Sequence, residues 1–388
     1  MTLDLELEIT WKRDSRSARF DYLLHGDHSC RSFVGPRLRT DLVAYQRRIL
    51  AVVEGFNRGR GPGSEVILHS EVRRKARRLG QDLGRQLLPE ALQRWLWTHR
   101  SDLASLQIRS DEPSIPWELL VLSDLETTDP EAREKPWCPA TSVPTTRWPL
   151  QVPWPRQLET KPILFLLCAS DAVRPRLGGV EQELAALTRL ADRLGVGLEV
   201  LANPSVDEIE SAVLDGDWGV FHVSSHGEFD PGAPVASPLI CGGLGSFQPR
   251  DLTRAWRASL GQQRPLVFLN ACRAARQGAF LTRFEGWAPR WLQSGCSAFV
   301  APLWSVRSSL AATFASVFYE SLGRGESLGE AALAARSITR KETAGRLDWA
   351  AYQIYGRVRA RYRGEPTGPD RAAEPGAKAR ATHPGSEP

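Results

Sequence analysis

The sequence has no C-x-x-C pair, no run of 18 or more apolar residues and no internal repeat. Its six cysteines, Cys30, Cys138, Cys168, Cys241, Cys272 and Cys296, are scattered over 388 residues. An even count at such spacing in so long a chain is not a disulfide framework. Without a long apolar run, no membrane-spanning helix is expected. Met1 to Glu8 alternates acidic and apolar residues and lacks the basic start and apolar core of a secretory signal. A cytoplasmic setting is expected, and its reducing chemistry would keep a thiol free. Lysine is scarce beside arginine, which hints at a GC-rich bacterial genome. The formal net charge of +5 is too small at this length to argue for nucleic acid. What remains is a chain that is 42% hydrophobic, enough to core one large domain or two smaller ones.

Two short stretches organise the rest. Gly219-Val-Phe-His-Val-Ser-Ser-His-Gly227 and Pro265-Leu-Val-Phe-Leu-Asn-Ala-Cys-Arg273 are each an apolar, β-branched and aromatic run, the pattern of a buried strand. One run stops at His226 and the other at Cys272. In an open parallel sheet, sites form at the carboxyl ends of strands. If the two strands are neighbours, an imidazole meets a thiol at one edge, the minimum apparatus of a cysteine nucleophile.

Along the chain, residues 3–11 alternate with period two as a half-buried strand, and 17–24 can pair back onto it. Asp41 to Phe56 has helical spacing, and Asn57 to Ser64 reads as a Gly-rich loop. A helix begins at Glu71-Val-Arg-Arg-Lys-Ala-Arg-Arg78 and runs to about Leu88, with another over 89–97. The basic Arg73–Arg78 face reads as a solvated helix face, ahead of a nucleic-acid surface. Leu106 to Ile108 is a strand, and Trp117 and Glu118 after it anchor the sheet. Residues 129–157, rich in Pro and Trp, read as a long irregular connection, exposed and cleavable. From Pro162 strands and helices alternate: a strand to Cys168, a helix to Leu194 stopped by Gly195, a strand at Leu198, and a helix capped by Ser205 and Glu208. Residues 228–263 read as a polar insertion with a hairpin near Leu239, and 273–284 as a loop beside Cys272. A strand to Pro302 and helices at 308–322 and 326–340 follow. The fold class is therefore α/β, a doubly wound, mostly parallel sheet flanked by helices. The expected divisions are an N-terminal α+β region, 1–98, a catalytic domain, 99–356, and a disordered tail, 357–388.

Three further motifs accompany the two strands. They are Ile115-Pro-Trp-Glu-Leu-Leu120, Gly295-Cys-Ser-Ala-Phe-Val-Ala-Pro-Leu-Trp304 and Trp349-Ala-Ala-Tyr-Gln-Ile-Tyr-Gly356. Together with His226 and Asn270-Ala271-Cys272-Arg273, they resemble the CHAT family of caspase-like cysteine peptidases over roughly residues 100–356. The separation of histidine and cysteine is similar to that in caspases.

The resemblance implies a cysteine endopeptidase with a Cys272/His226 dyad, no cofactor and no metal. His226 would lower the thiol's proton affinity and protonate the amine leaving group. The implied oxyanion donors are the backbone N–H groups of Gly227 and Cys272. His222 reads as a core or supporting histidine, since H-x-x-x-H pairs metal ligands on a helix, not a strand. Many members carry an acid after the Leu-Trp pair, where this chain has Trp304-Ser-Val-Arg-Ser308. Arg307 would favour an acidic or polar P1 side chain, Glu228 and Asp230 a basic one, and Arg307 facing solvent neither. Trp304 is a further substrate-binding candidate. The implied partners are a protein substrate, such as a gasdermin-like pore-forming protein in bacterial defence or cell death, and an upstream activator. The alternative is a catalytically silent scaffold that binds a partner. A nucleic-acid binder ranks last.

Overall fold

The computed structural model describes residues 2–362, apart from 14–17, 27–28, 39–40, 58–68, 113–114, 126–135, 155–156, 169–177, 231–232, 242–244, 273, 275, 277, 281–282 and 344–345. In chain order the elements are β1 (Leu3–Arg13), β2 (Ala18–Gly26), β3 (Ser29–Val34), α1 (Leu42–Asn57), α2 (His69–Leu87), α3 (Glu90–Thr98), β4 (Leu103–Ser110) and β5 (Thr145–Pro149). Next come β6 (Ile163–Leu167), α4 (Val180–Leu194), β7 (Leu198–Ala202), α5 (Val206–Asp215) and β8 (Val220–Ser224). β9 (Leu239–Ile240), β10 (Ser246–Phe247), α6 (Arg254–Gln263) and β11 (Leu266–Asn270) follow. The chain continues with β12 (Gly278–Phe280), β13 (Arg283–Glu285), α7 (Trp287–Gln293), β14 (Ala298–Pro302), α8 (Ser308–Gly323), α9 (Leu328–Glu342) and β15 (Tyr352–Tyr355).

Eleven strands form one mixed sheet in the order β3-β2-β1-β4-β5-β15-β14-β11-β8-β6-β7. It contains two parallel blocks. β1, β4, β5 and β15 run together, and so do β14, β11, β8, β6 and β7. The blocks meet at an antiparallel seam between β14 and β15. β2 and β3 extend the first block as an antiparallel meander. The sheet is thus mostly parallel and flanked by helices, and the N-terminal strands are hydrogen-bonded into it.

The local sequence explains each layer. β6, β8, β11 and β14 are near-continuous apolar runs because both of their faces are covered. On β8, Phe221 packs on Trp291 of α7 while the next residue, His222, packs on Tyr319 of α8, so the two faces carry different helices. β1 alternates instead, burying Leu5, Leu7 and Ile9 on one face. Gly195, with φ 65°, ends α4 in a left-handed cap. Ser205 and Glu208 form the expected capping box of α5.

Four expectations are corrected. The stretch 129–157 is not a single irregular connection, because Thr145–Pro149 is a buried strand between β4 and β15. Pro144 and Pro149 bracket it and Arg147 sits at its centre, which masks the strand pattern. Part of that stretch, 126–135, lies outside the described residues. The insertion 228–263 does contain the hairpin β9–β10, but it also holds α6, which Thr253 caps. Beyond Cys272, the loop expected over 273–284 carries the short hairpin β12–β13. Residues 357–362 stay folded, with Val358, Ala360 and Tyr362 buried and Leu158 bridged to Tyr362. The tail from 363 lies outside the described residues.

Candidate active site

β8 and β11 are adjacent and parallel, and Asn270 stands opposite Ser224. Two residues further along each chain lie Cys272 and His226. Neighbouring strands run about 4.8 Å apart, so both residues follow adjacent strand ends on the same edge of the sheet. Both residues are half-buried. The Ser225 N–H extends the ladder by donating to the Asn270 carbonyl at 3.4 Å. Gly227 then runs close against the other chain: a Cβ built there would lie 2.8 Å from the Cys272 carbonyl oxygen and 3.0 Å from Ala271 Cβ. Only glycine permits that approach. The His226 carbonyl accepts from the Ile240 N–H at 3.0 Å and from Ser225 Oγ at 2.9 Å. The β9 hairpin therefore holds the histidine's backbone from the other side.

Beneath these strand ends lies a buried polar network centred on Glu183 of α4, which is 3% exposed. Its Oε2 lies 2.9 Å from His222 Nε2 and also accepts from Ser224 Oγ. Its Oε1 accepts from Asn270 Nδ2 at 2.7 Å. Tyr352 Oη donates to Asn270 Oδ1 at 2.7 Å, and Tyr319 Oη lies 2.9 Å from His222 Nδ1. Burial pushes both tyrosine hydroxyls well above their ordinary range, so both stay protonated. Both nitrogens of His222 are thus engaged, as expected of a supporting core histidine. Among the described residues, no His, Cys, Asp or Glu group is placed to hold a metal. The network joins β8, β11, β15, α4 and α8 directly under the Cys272 strand.

Sequence reasoning missed Glu183 and Tyr352. Glu183 lies four and seven residues before Leu187 and Leu190, on the apolar stripe of α4. A carboxylate on a buried stripe needs partners, and that was the available signal. Two further thiols lie near the strand ends. Cys168, after β6, and Cys241, after β9, share a hydrogen bond that pushes Cys168 up and Cys241 down. Cys168 and Cys296 are both buried, as core thiols are.

The other site candidates fall in different places. Glu228 and Asp230 are exposed just past His226, where an Asp230 oxygen accepts from the Ala233 N–H at 3.2 Å. Arg307 is exposed at the start of α8. Trp304 is fully buried, so its ring belongs to the core and not to a substrate surface. Trp117 and Glu118 are buried too, in keeping with an anchoring role. Arg73–Arg78 lies on α2. No helix among the described residues is long and apolar enough to cross a membrane.

A family model described as CHAT domain matches residues 77–357. No curated protein matches the sequence. The fold resembles separase in the Saccharomyces cerevisiae separase–securin complex, with 12% identity, a TM-score of 0.51, 91% of this chain covered and 30% of that one. It is also similar to the Arg-specific cysteine proteinase gingipain R, with 13% identity, a TM-score of 0.47 and 74% and 73% of the two chains covered. For caspase-1 from Spodoptera frugiperda the figures are 16%, 0.33, 48% and 79%.

Proposed function

The chain belongs to the CHAT domain family, and on that premise we propose that it is a cysteine endopeptidase. Cys272 is the nucleophile and His226 its acid–base partner. The observation that carries this reading is the shared register of β8 and β11, with Gly227 laid against the Ala271–Cys272 backbone. Cys272 Sγ attacks the scissile carbonyl, and His226 gives a proton to the departing amine. An acyl-enzyme forms on sulfur, and water activated by the same imidazole releases the acid. The backbone N–H groups of Gly227 and Cys272 bind the oxyanion; losing one such donor typically costs about 10²–10³ in rate.

The substrate is a protein with an exposed, extended segment. Glu228 and Asp230 would draw a basic P1 side chain, and Arg307 an acidic one. A gasdermin-like pore-forming protein in a cytoplasmic defence or cell-death pathway is the proposed partner, with an upstream activator; the fold alone does not choose it.

The test incubates wild type and Cys272→Ala with such a protein and reads fragments by intact mass. Cleavage by the wild type only supports the nucleophile, and the new terminus identifies P1. No cleavage, with Cys272 also inert to iodoacetamide, overturns the reading in favour of a binding scaffold.

A further inference from the structure

Arg276 lies four residues beyond Cys272, and three separate segments hold it. Its Nε donates to the Leu303 carbonyl at 2.9 Å, just past β14. Its guanidinium lies 5.9 Å from the ring of Phe229, three residues past His226. Its terminal nitrogen pairs with Glu54 of α1 at 2.5 Å. The side chains of Arg276 and Glu54 are only 14% and 17% exposed. One turn further along α1, Asn57 is buried, and it also reaches the rim of the site. Its Nδ2 donates to the Ser305 carbonyl at 3.5 Å, and its Oδ1 accepts from the Leu347 N–H at 3.1 Å.

The loops after β8, β11 and β14 are those that surround His226, Cys272 and the Arg307 candidate. A half-buried guanidinium joins all three, and the N-terminal helix α1 supplies its counter-charge. Charge pairs this sheltered from water are screened little, so their loss is felt locally. An ordinary surface pair would not bridge four segments, and it would leave the reactivity of Cys272 unchanged.

We propose that Arg276 and Glu54 are positioning residues, through which α1 holds the loop of Cys272 in register with His226. This rests on the peptidase reading above. The N-terminal helix is then a working part of the site, and anything that lifts α1 would disarm the thiol.

The experiment follows alkylation of Cys272 by iodoacetamide in the full chain, by peptide mass mapping at pH 7, with the melting temperature of each variant recorded. The expected result is a fall of about tenfold in rate for Glu54→Gln and for Arg276→Ala, a size bounded by the few per cent of a free thiol that is ionised at neutral pH. The double variant should be no slower than the slower single variant, because both break one link. Arg276→Lys should recover part of the rate. If Arg276→Ala does not fold, Glu54→Gln and Arg276→Lys carry the comparison. Wild-type rates in folded Glu54→Gln and Arg276→Lys, or losses that add in the double variant, overturn the proposal. His226→Ala separates the two readings. If it matches the wild type, the dyad itself fails. If it is slow while the Glu54 and Arg276 variants are fast, the positioning role alone fails.

Discussion

Glu118 and Glu183 are buried beside different parallel blocks of the sheet, and the two are treated differently. In the block of β4, β5 and β15, Glu118 faces two arginines, with Arg147 at 3.7 Å and Arg336 at 3.9 Å. Those arginines spend their hydrogen bonds on carbonyls, Arg147 on Ile115 and Arg336 on Thr145. Within that cluster Glu118 Oε2 and Arg336 Nε are buried without a hydrogen-bond partner among the described residues, and every partner named is structural. In the block of β8 and β11, Glu183 is held by His222, Ser224 and Asn270. That cluster reaches the strand ends two residues from the thiol. A buried carboxylate ringed by arginines ties a sheet together. One held by His222, Ser224 and Asn270 at strand ends fixes where those ends stand.

Mutations can break this contrast. Arg336→Ala should have the largest effect on stability, about 3–5 kcal/mol by chemical denaturation, because it strips a partner from a buried charge. Its folded fraction should keep wild-type Cys272 reactivity, and a loss there would erase the distinction. Glu183→Ala leaves three donors short of an acceptor and should cost about 2–3 kcal/mol. Unlike the first variant, it should also slow Cys272 alkylation by about tenfold, since small displacements of reacting groups are costly. Tyr352→Phe removes only the bond to Asn270 and should cost about 1 kcal/mol in the same titration. Ser205→Ala lies far from either cluster and should cost about 0.5–1 kcal/mol with no change in reactivity.

The last variant also has a pH signature. Ser205's backbone N–H and hydroxyl hold the Glu208 carboxyl below its usual 4.5. A depressed folded value contributes stability above the unfolded value, and that contribution disappears as pH falls through the folded value. The gap in melting temperature between wild type and Ser205→Ala should therefore narrow at pH 3.

What the sequence disclosed follows from how each feature is encoded. His226 and Cys272 stood out because each follows a largely apolar run, and the runs are apolar because both sheet faces are covered. The hidden features depend on contacts between distant segments. β5 is disguised by its two prolines and Arg147, whose charge is met by Glu118 29 residues earlier. α6, with its polar Arg254–Gln263 sequence, is set in a Gly- and Pro-rich insertion and buries only a thin stripe including Trp256 and Leu260. Glu183 looks like any helix carboxylate until His222 and Asn270 are brought beside it. The antiparallel seam leaves no local mark, because β14 and β15 have the same apolar character in either direction.

That seam also fixes an order of events. β15 is the last strand of the described chain, yet it is inserted at the middle of the sheet, between β5 and β14. Until residues 352–355 leave the ribosome, the two blocks have no strand to join them, and Asn270 waits for the hydroxyl of Tyr352. Pairing across such sequence distances is slow compared with local structure. A nascent chain of this protein therefore carries its cysteine strand long before the support beneath it is complete. Synthesis itself delays the moment at which the strand ending at Cys272 gains that support.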